Sequence, residues 1–168
     1  MTTRIASSAH LAAGAAPDLS EVEFGLIIAS HAFNRWTVRC MAAAGLPDLT
    51  ANDVMVLHHV HHRERPKKLA DICFTLNIED THIVNYALKK LERLGVVAGE
   101  RQGKEVFYST TASGRDIIAR YTAIREQCLV ESLQTHAGSG LEATRQLAQA
   151  LRGLSGLYDQ AARAATSL

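Results

Sequence analysis

Between Leu49 and Gly114 the apolar spacing runs from a helical period to a strand period and back, which restricts the fold more than any other feature of the chain. Thr50-Ala51-Asn52-Asp53 opens a helix in the manner of a capping box, and Val54, Met55, Leu57 and Val60 continue it. Pro66 suits the first turn of a short helix, where its missing N–H costs nothing, and Leu69, Ile72, Cys73 and Leu76 give that helix one apolar stripe. After a break at Asn77–Glu79, Asp80 or Thr81 caps a further helix that ends at Gly95. Its inward face is expected to be Ile83, Val84, Ala87, Leu88, Leu91 and Leu94. The period then shortens. Val96–Ala98 and Val106–Tyr108 read as two short strands around Gly99–Glu105, a hairpin with Gly103 near its tip. Ser113-Gly114-Arg115-Asp116 caps the next helix, with Ile117, Tyr121, Ile124 and Cys128 on one side.

Long helices flank this middle section. Ser20-Glu21-Val22-Glu23 is a capping box, and the helix it starts should run to about Ala44 and stop at Gly45, with Pro47 beyond. Residues before it, Met1 to Pro17, are rich in Ala, Ser, Thr and Gly and read as a disordered arm. A break at His136–Gly140 precedes a last helix capped from Ser139. There Leu147, Leu151, Leu154, Tyr158, Ala161 and Ala165 alternate in steps of four and three, a seam weakened by Gly153 and Gly156. The chain therefore divides into an arm (1–19), an N-terminal helix (20–48), a central lobe (49–112) and C-terminal helices (113–168). The fold class is mainly α with a small β-hairpin, a winged helix-turn-helix between flanking helices.

With 168 residues, 47% of them hydrophobic and 21% charged, the chain can bury a core without disulfides or a structural metal. Cys40, Cys73 and Cys128 are odd in number and contain no CxxC pair, which fits a reducing compartment. The stretch Phe24–Leu46 is long enough for a membrane but carries Arg35 and Arg39, each costing about 2.5–3.5 kcal/mol near a bilayer centre. It reads as a helix buried within protein. The first residues lack the pattern of a secretory signal, so a cytoplasmic location and no membrane partner are expected.

The net charge of +1 hides an uneven distribution. From Arg63 to Lys104 there are nine Lys and Arg against six Asp and Glu, and all five lysines of the chain fall there. On the helix after Asp80, the face opposite the apolar stripe carries Thr81, His82, Asn85, Tyr86, Lys89, Lys90 and Arg93. The N-terminal half offers groups that can bond base edges, Asn85 pairing with adenine among them, and the C-terminal half offers cations for phosphates. Arg101 and Lys104 on the hairpin are placed to reach a neighbouring groove or backbone. The expected partner is double-stranded DNA. A winged helix that mediates protein contacts without DNA is the alternative.

In this region the sequence resembles the MarR family of winged helix regulators. The segments are Lys68-Leu69-Ala70-Asp71-Ile72, then Ala87-Leu88-Lys89-Lys90-Leu91-Glu92-Arg93-Leu94-Gly95-Val96-Val97, then Thr111-Ala112-Ser113-Gly114. The resemblance covers roughly Leu49 to Gly114. It implies a homodimer joined by the first and last helices, a near-palindromic operator, and control by a small ligand or by oxidation. Two departures stand out. The hairpin reads as short, and its tip, Arg101-Gln102-Gly103-Lys104, lacks the family's frequent Asp-x-Arg. Glu79-Asp80 also stands where the family often has serine and a basic residue.

His58-His59-Val60-His61-His62 is a conspicuous run, and His58 and His62 have the spacing of two zinc ligands on one helical face. No matching third ligand is visible and HExxH is absent, so no metal or other cofactor is expected. Trp36, Arg39, Met55 and His58 form a candidate pocket for a small aromatic or anionic effector. Cys40 and Cys128 are candidate redox sensors beside Arg39 and Arg125, whereas Cys73 belongs to an apolar stripe. GxSxG, P-loop and GxGxxG motifs are all missing, and no enzymatic activity is expected.

Overall fold

The first helix starts earlier than its capping box suggests. The computed structural model describes residues 17–136 and 140–168, and α1 spans Pro17–Ala43, with proline at the first helical position. Ser20 lies inside the helix and is buried. The expected arm falls largely outside the described residues, as does Ser139. After α1 come α2 (Ala51–His61), a 3₁₀ turn (His62–Glu64), β1 (Lys67–Lys68), α3 (Leu69–Leu76), α4 (Thr81–Arg93), β2 (Val97–Gln102), β3 (Glu105–Thr110) and α5 (Ala112–Arg125). A π turn (Glu126–Val130) leads to α6 (Glu131–His136), and α7 spans Gly140–Ala165. The chain forms two compact units, one up to Ile124 and one from Arg125 to Leu168.

In the first unit, the C-terminal half of α1 packs with α2, α3, α4 and α5 around one core. Met41, Val54, Leu57, Ile72, Val84, Leu88 and Leu91 are almost wholly enclosed there. Three of these helices end in the same way. The chain turns left-handed at Gly45, Asn77 and Gly95, and the next amide reaches back to the carbonyl of Met41, Cys73 and Leu91 respectively. These ends fix the directions in which α1 stops, α3 hands over to α4, and α4 hands over to β2. Arg120 of α5 closes on the first of them by donating from Nε to the Ala44 carbonyl at 2.7 Å.

Two expectations change here. Pro66 does not begin a helix. Lys67 and Lys68 pair with Tyr108 and Phe107, making a third strand in the order β1-β3-β2, and α3 starts only at Leu69. A strand of two residues has no apolar period to announce it. The chain reaches β1 through Arg63 and Glu64, both at positive φ, and Lys67 Nζ bonds the carbonyls of His62 (2.5 Å) and Arg65 (2.7 Å) to hold that turn. The hairpin is also longer than expected. Its strands hold register from Val97↔Thr110 to Gln102↔Glu105, turning through Gly103 at the position where a type II′ turn needs positive φ.

The Thr111–Gly114 segment explains itself physically. Thr111 Oγ1 donates to the Gly95 carbonyl (2.7 Å) and accepts from Gly114 N (3.1 Å), so it caps α5 and ties the end of α4 to it. The cap is thus Thr111 rather than Ser113. A Cβ at Gly114 would lie 2.1 Å from the Val96 carbonyl oxygen, so only glycine lets β2 enter so close to α5.

The second unit holds α6 and α7. On α7 the seam residues Leu147, Leu151 and Tyr158 are exposed in the single chain and Leu154 is half-buried. No described helix is long and apolar enough to cross a membrane.

Candidate nucleic-acid interface

Helix α4 is the centre of the site, and its two faces are sharply divided. Asp80 Oδ1 accepts from His82 N at 2.9 Å and caps it. Val84, Ala87, Leu88 and Leu91 are buried against the core. His82, Tyr86, Lys89 and Arg93, in steps of four, three and four, form one exposed stripe on the opposite side. Thr81 is exposed at the start, and Asn85 is half-buried on one flank. Glu92, on the same flank as Asn85, accepts from Gly99 N (3.1 Å) through Oε1 and so anchors the hairpin to the helix. Tyr86, Lys89, Glu92 and Arg93 together line a shallow hollow. Ile83 departs from the expected inward face. It is 39% exposed, as Leu94 is exposed at the other end, because the core covers only the narrower stripe between them.

Lys90 is occupied elsewhere. Its Nζ lies 2.9 Å from Asp53 Oδ2 and 2.5 Å from the Asp48 carbonyl oxygen. The same Asp53 oxygen accepts from Thr50 N at 2.8 Å, so one carboxylate closes the α2 capping box and clamps α4. The side chain of Asp53 is 8% exposed and that of Lys90 29%. A lysine held this way is a strut between α4 and the α1–α2 junction, and its ammonium is turned from the outward stripe. Sequence spacing alone gave no sign of this, because Asp53 and Lys90 are far apart in the chain.

On the hairpin, Arg101 and Lys104 are exposed, and Arg101 Nε donates to the Gly103 carbonyl at 3.2 Å, which folds its stem over the tip. Lys68 is paired with Glu105 at 2.6 Å and lies 5.2 Å from the centre of the Phe107 ring. That pair joins β1 to the tip end of β3, and the hydrogen bond to Glu105 raises the Lys68 pKa above its ordinary value. Lys89 and Arg93 on α4 and Arg101 and Lys104 on the wing are exposed, as are Arg63 and Arg65 in the turn before β1.

The other candidate residues fall into different settings. Trp36, Met55 and His58 are half-buried and Arg39 is exposed, with Trp36 packed on the core. The His58 ring meets Tyr121 edge to face, centroids 4.4 Å apart. His62 lies one residue past the end of α2 and is exposed. Among the described residues no cluster of three or more His, Cys, Asp or Glu is arranged to hold a metal ion. Burial in the lobe, with Lys67 and His62 nearby, pushes the His59 pKa below the usual histidine value. Cys40 is enclosed, with Sγ 3.6 Å from the Tyr121 carbonyl oxygen, and Cys73 is buried with its thiol pKa raised by that burial. Cys128 is exposed.

The division of α4 into a buried face and a cationic outward face, followed by a two-stranded wing whose sheet β1 completes, is the architecture of a winged helix. Residues 49–114 match the family model of a winged helix DNA-binding domain. Over most of its length the chain has the fold of solved MarR-family regulators. It superposes on a MarR family transcription regulator with a TM-score of 0.69 at 15% identity, over 84% of this chain and 93% of the other. AbfR of Staphylococcus epidermidis gives 0.67 at 19% identity, over 84% and 93%. The transcriptional regulator MOSR of M. tuberculosis, solved with DNA, gives 0.60 at 15% identity, over 80% and 96%. Among curated proteins there is no sequence match.

Proposed function

We propose that this chain is a MarR-type transcription regulator that binds double-stranded DNA sequence-specifically as a homodimer. The observation that carries the reading is the outward stripe His82–Tyr86–Lys89–Arg93, which is polar at its start, cationic at its end, and exposed throughout. Inserted in a major groove, its first two turns meet base edges and its last turn meets phosphate. Thr81 and Asn85 extend the reading edge on one side, and Arg101 and Lys104 carry the wing to the adjacent backbone. Lys90 acts indirectly, by setting the pitch of α4. That MOSR, of the same fold, was solved with DNA supports the choice of partner.

The dimer completes the reading. The α7 seam and the exposed Leu19, Val22, Ile27, Ile28 and Phe33 of α1 leave apolar side chains bare along each helix, which suits isologous pairing. A small aromatic or anionic effector near Trp36, Arg39, Met55 and His58 then acts by binding DNA-competent and DNA-incompetent dimers unequally. Selection of duplexes from a random library by the purified protein, with sedimentation of the selected complex, tests this function. Enrichment of a two-fold symmetric site bound by two chains is the expected result. No enrichment at low salt would leave the protein-contact alternative in its place.

A further inference from the structure

We propose that Ile83 and Tyr86 form an apolar reading surface for thymine methyl groups, so that the half-site under α4 is defined by A·T pairs. The inference rests on the DNA-binding reading above and specifies its substrate. Guanine is most often read by arginine or lysine bidentate to O6 and N7. The first two turns of α4, Thr81-His82-Ile83-Val84-Asn85-Tyr86, contain neither residue. The first outward cation is Lys89, a turn further on.

The same two turns carry apolar surface that the core does not cover. Tyr86 is 75% exposed and Ile83 39%, and three residues apart they are neighbours on the helix. The only apolar feature the major-groove edge of a base pair presents is the C5-methyl of thymine. Lys89 and Arg93 continue the Tyr86 stripe, and their charge favours a polyanion over an apolar protein surface as its occupant. His82 and Thr81 beside the pair supply hydrogen bonds that the adenine edge can complete. The wing offers Arg101 and Lys104, so any guanine preference in the site should lie outside the α4 contact.

Deoxyuridine substitution isolates the methyl without altering any hydrogen bond of the base pair. The probe is a duplex enriched by the wild-type protein, with each thymine replaced singly by deoxyuridine and binding followed by fluorescence anisotropy. Loss of one enclosed methyl should weaken binding about fourfold at the thymines facing α4 and leave the others unchanged. Ile83→Ala and Tyr86→Ala should bind the thymine duplex more weakly and lose that discrimination, whereas Tyr86→Phe, which keeps the ring, should retain it. Both variants lie outside the core, and circular dichroism establishes that they fold. Uniform indifference to deoxyuridine, discrimination undiminished in both alanine variants, or selected half-sites made only of G·C pairs would each overturn the inference while DNA binding stands. Failure to enrich any duplex removes the DNA-binding reading itself, and this inference with it.

Discussion

Replacing Lys90 by methionine separates a strut from a phosphate contact, two roles that sequence spacing cannot tell apart. The substitution keeps most of the aliphatic stem and removes the ammonium. Asp53 is then left almost enclosed, its carboxylate keeping the bond from Thr50 N but losing the cation 2.9 Å away. Leaving one member of a fully buried pair unpartnered costs about 3–5 kcal/mol. Lys90 retains partial contact with water and Asp53 retains its cap, so about 2 kcal/mol is the reasonable figure here. That corresponds to a fall in melting temperature of roughly 4–8 °C for a chain of this size. Lys89→Ala, on the exposed stripe, should change stability by no more than about 0.5 kcal/mol. The DNA readout reverses the order. The slope of log affinity against log salt should be unchanged in Lys90→Met and lower by about 1 in Lys89→Ala. Lys90→Arg should restore much of the stability, and Asp53→Asn combined with Lys90→Met should cost less than the sum of the two. Thermal melts and anisotropy titrations at several salt concentrations supply both numbers. A Lys90→Met protein that melts like wild type yet loses salt dependence as Lys89→Ala does would refute the assignment.

Three further outcomes follow from the geometry. Gly114→Ala should destabilise the lobe by about 1–3 kcal/mol, because the new methyl meets the Val96 carbonyl; a melt unchanged from wild type would show that β2 and α5 are not so closely apposed. The folded-state pKa of His59 lies below its unfolded value, so unfolding takes up a proton, and stability is full above about pH 6.5 and declines as pH falls through and below it. His59→Gln should flatten melting temperature between neutral and mildly acid pH, and an unaltered profile would assign the acid sensitivity elsewhere. Leu151→Glu on the bare α7 seam should shift the chain from dimer to monomer in sedimentation at micromolar concentration and abolish cooperative occupancy of half-sites spaced ~34–36 Å apart. A wild-type chain already monomeric there contradicts the dimer.

The helical lobe was legible because its periods are long and its ends carry their own chemistry. Thr50–Asp53 and Asp80 cap α2 and α4 where their residue types predict, and Gly45, Asn77 and Gly95 turn the chain out of α1, α3 and α4. The errors lie where no period exists. Lys67–Lys68 forms a strand because it meets β3, a pairing across the sequence, and Gly99–Gln102 is strand without apolar alternation because the wing stands in solvent on both sides. Ile83 differs from its expected inward place for a related reason: an apolar residue at the edge of a stripe looks the same in sequence whether the core reaches it or not. The outward residues of α4 could be named from the sequence, but Lys90 could not be set apart from Lys89, since only the folded chain brings Asp53 and the Asp48 carbonyl to it.

DNA is expected to bind on the outward face of α4 and at the wing tip. The most direct test is a salt titration of affinity for one selected duplex and for a scrambled duplex, run on wild type, Lys89→Ala, Arg93→Ala and Lys104→Ala. The expected result is tighter binding to the selected duplex, with each substitution lowering the salt slope by about 1 on both duplexes and leaving the ratio between them nearly intact. Titrations of all three variants that coincide with wild type at every salt concentration would place the interface elsewhere.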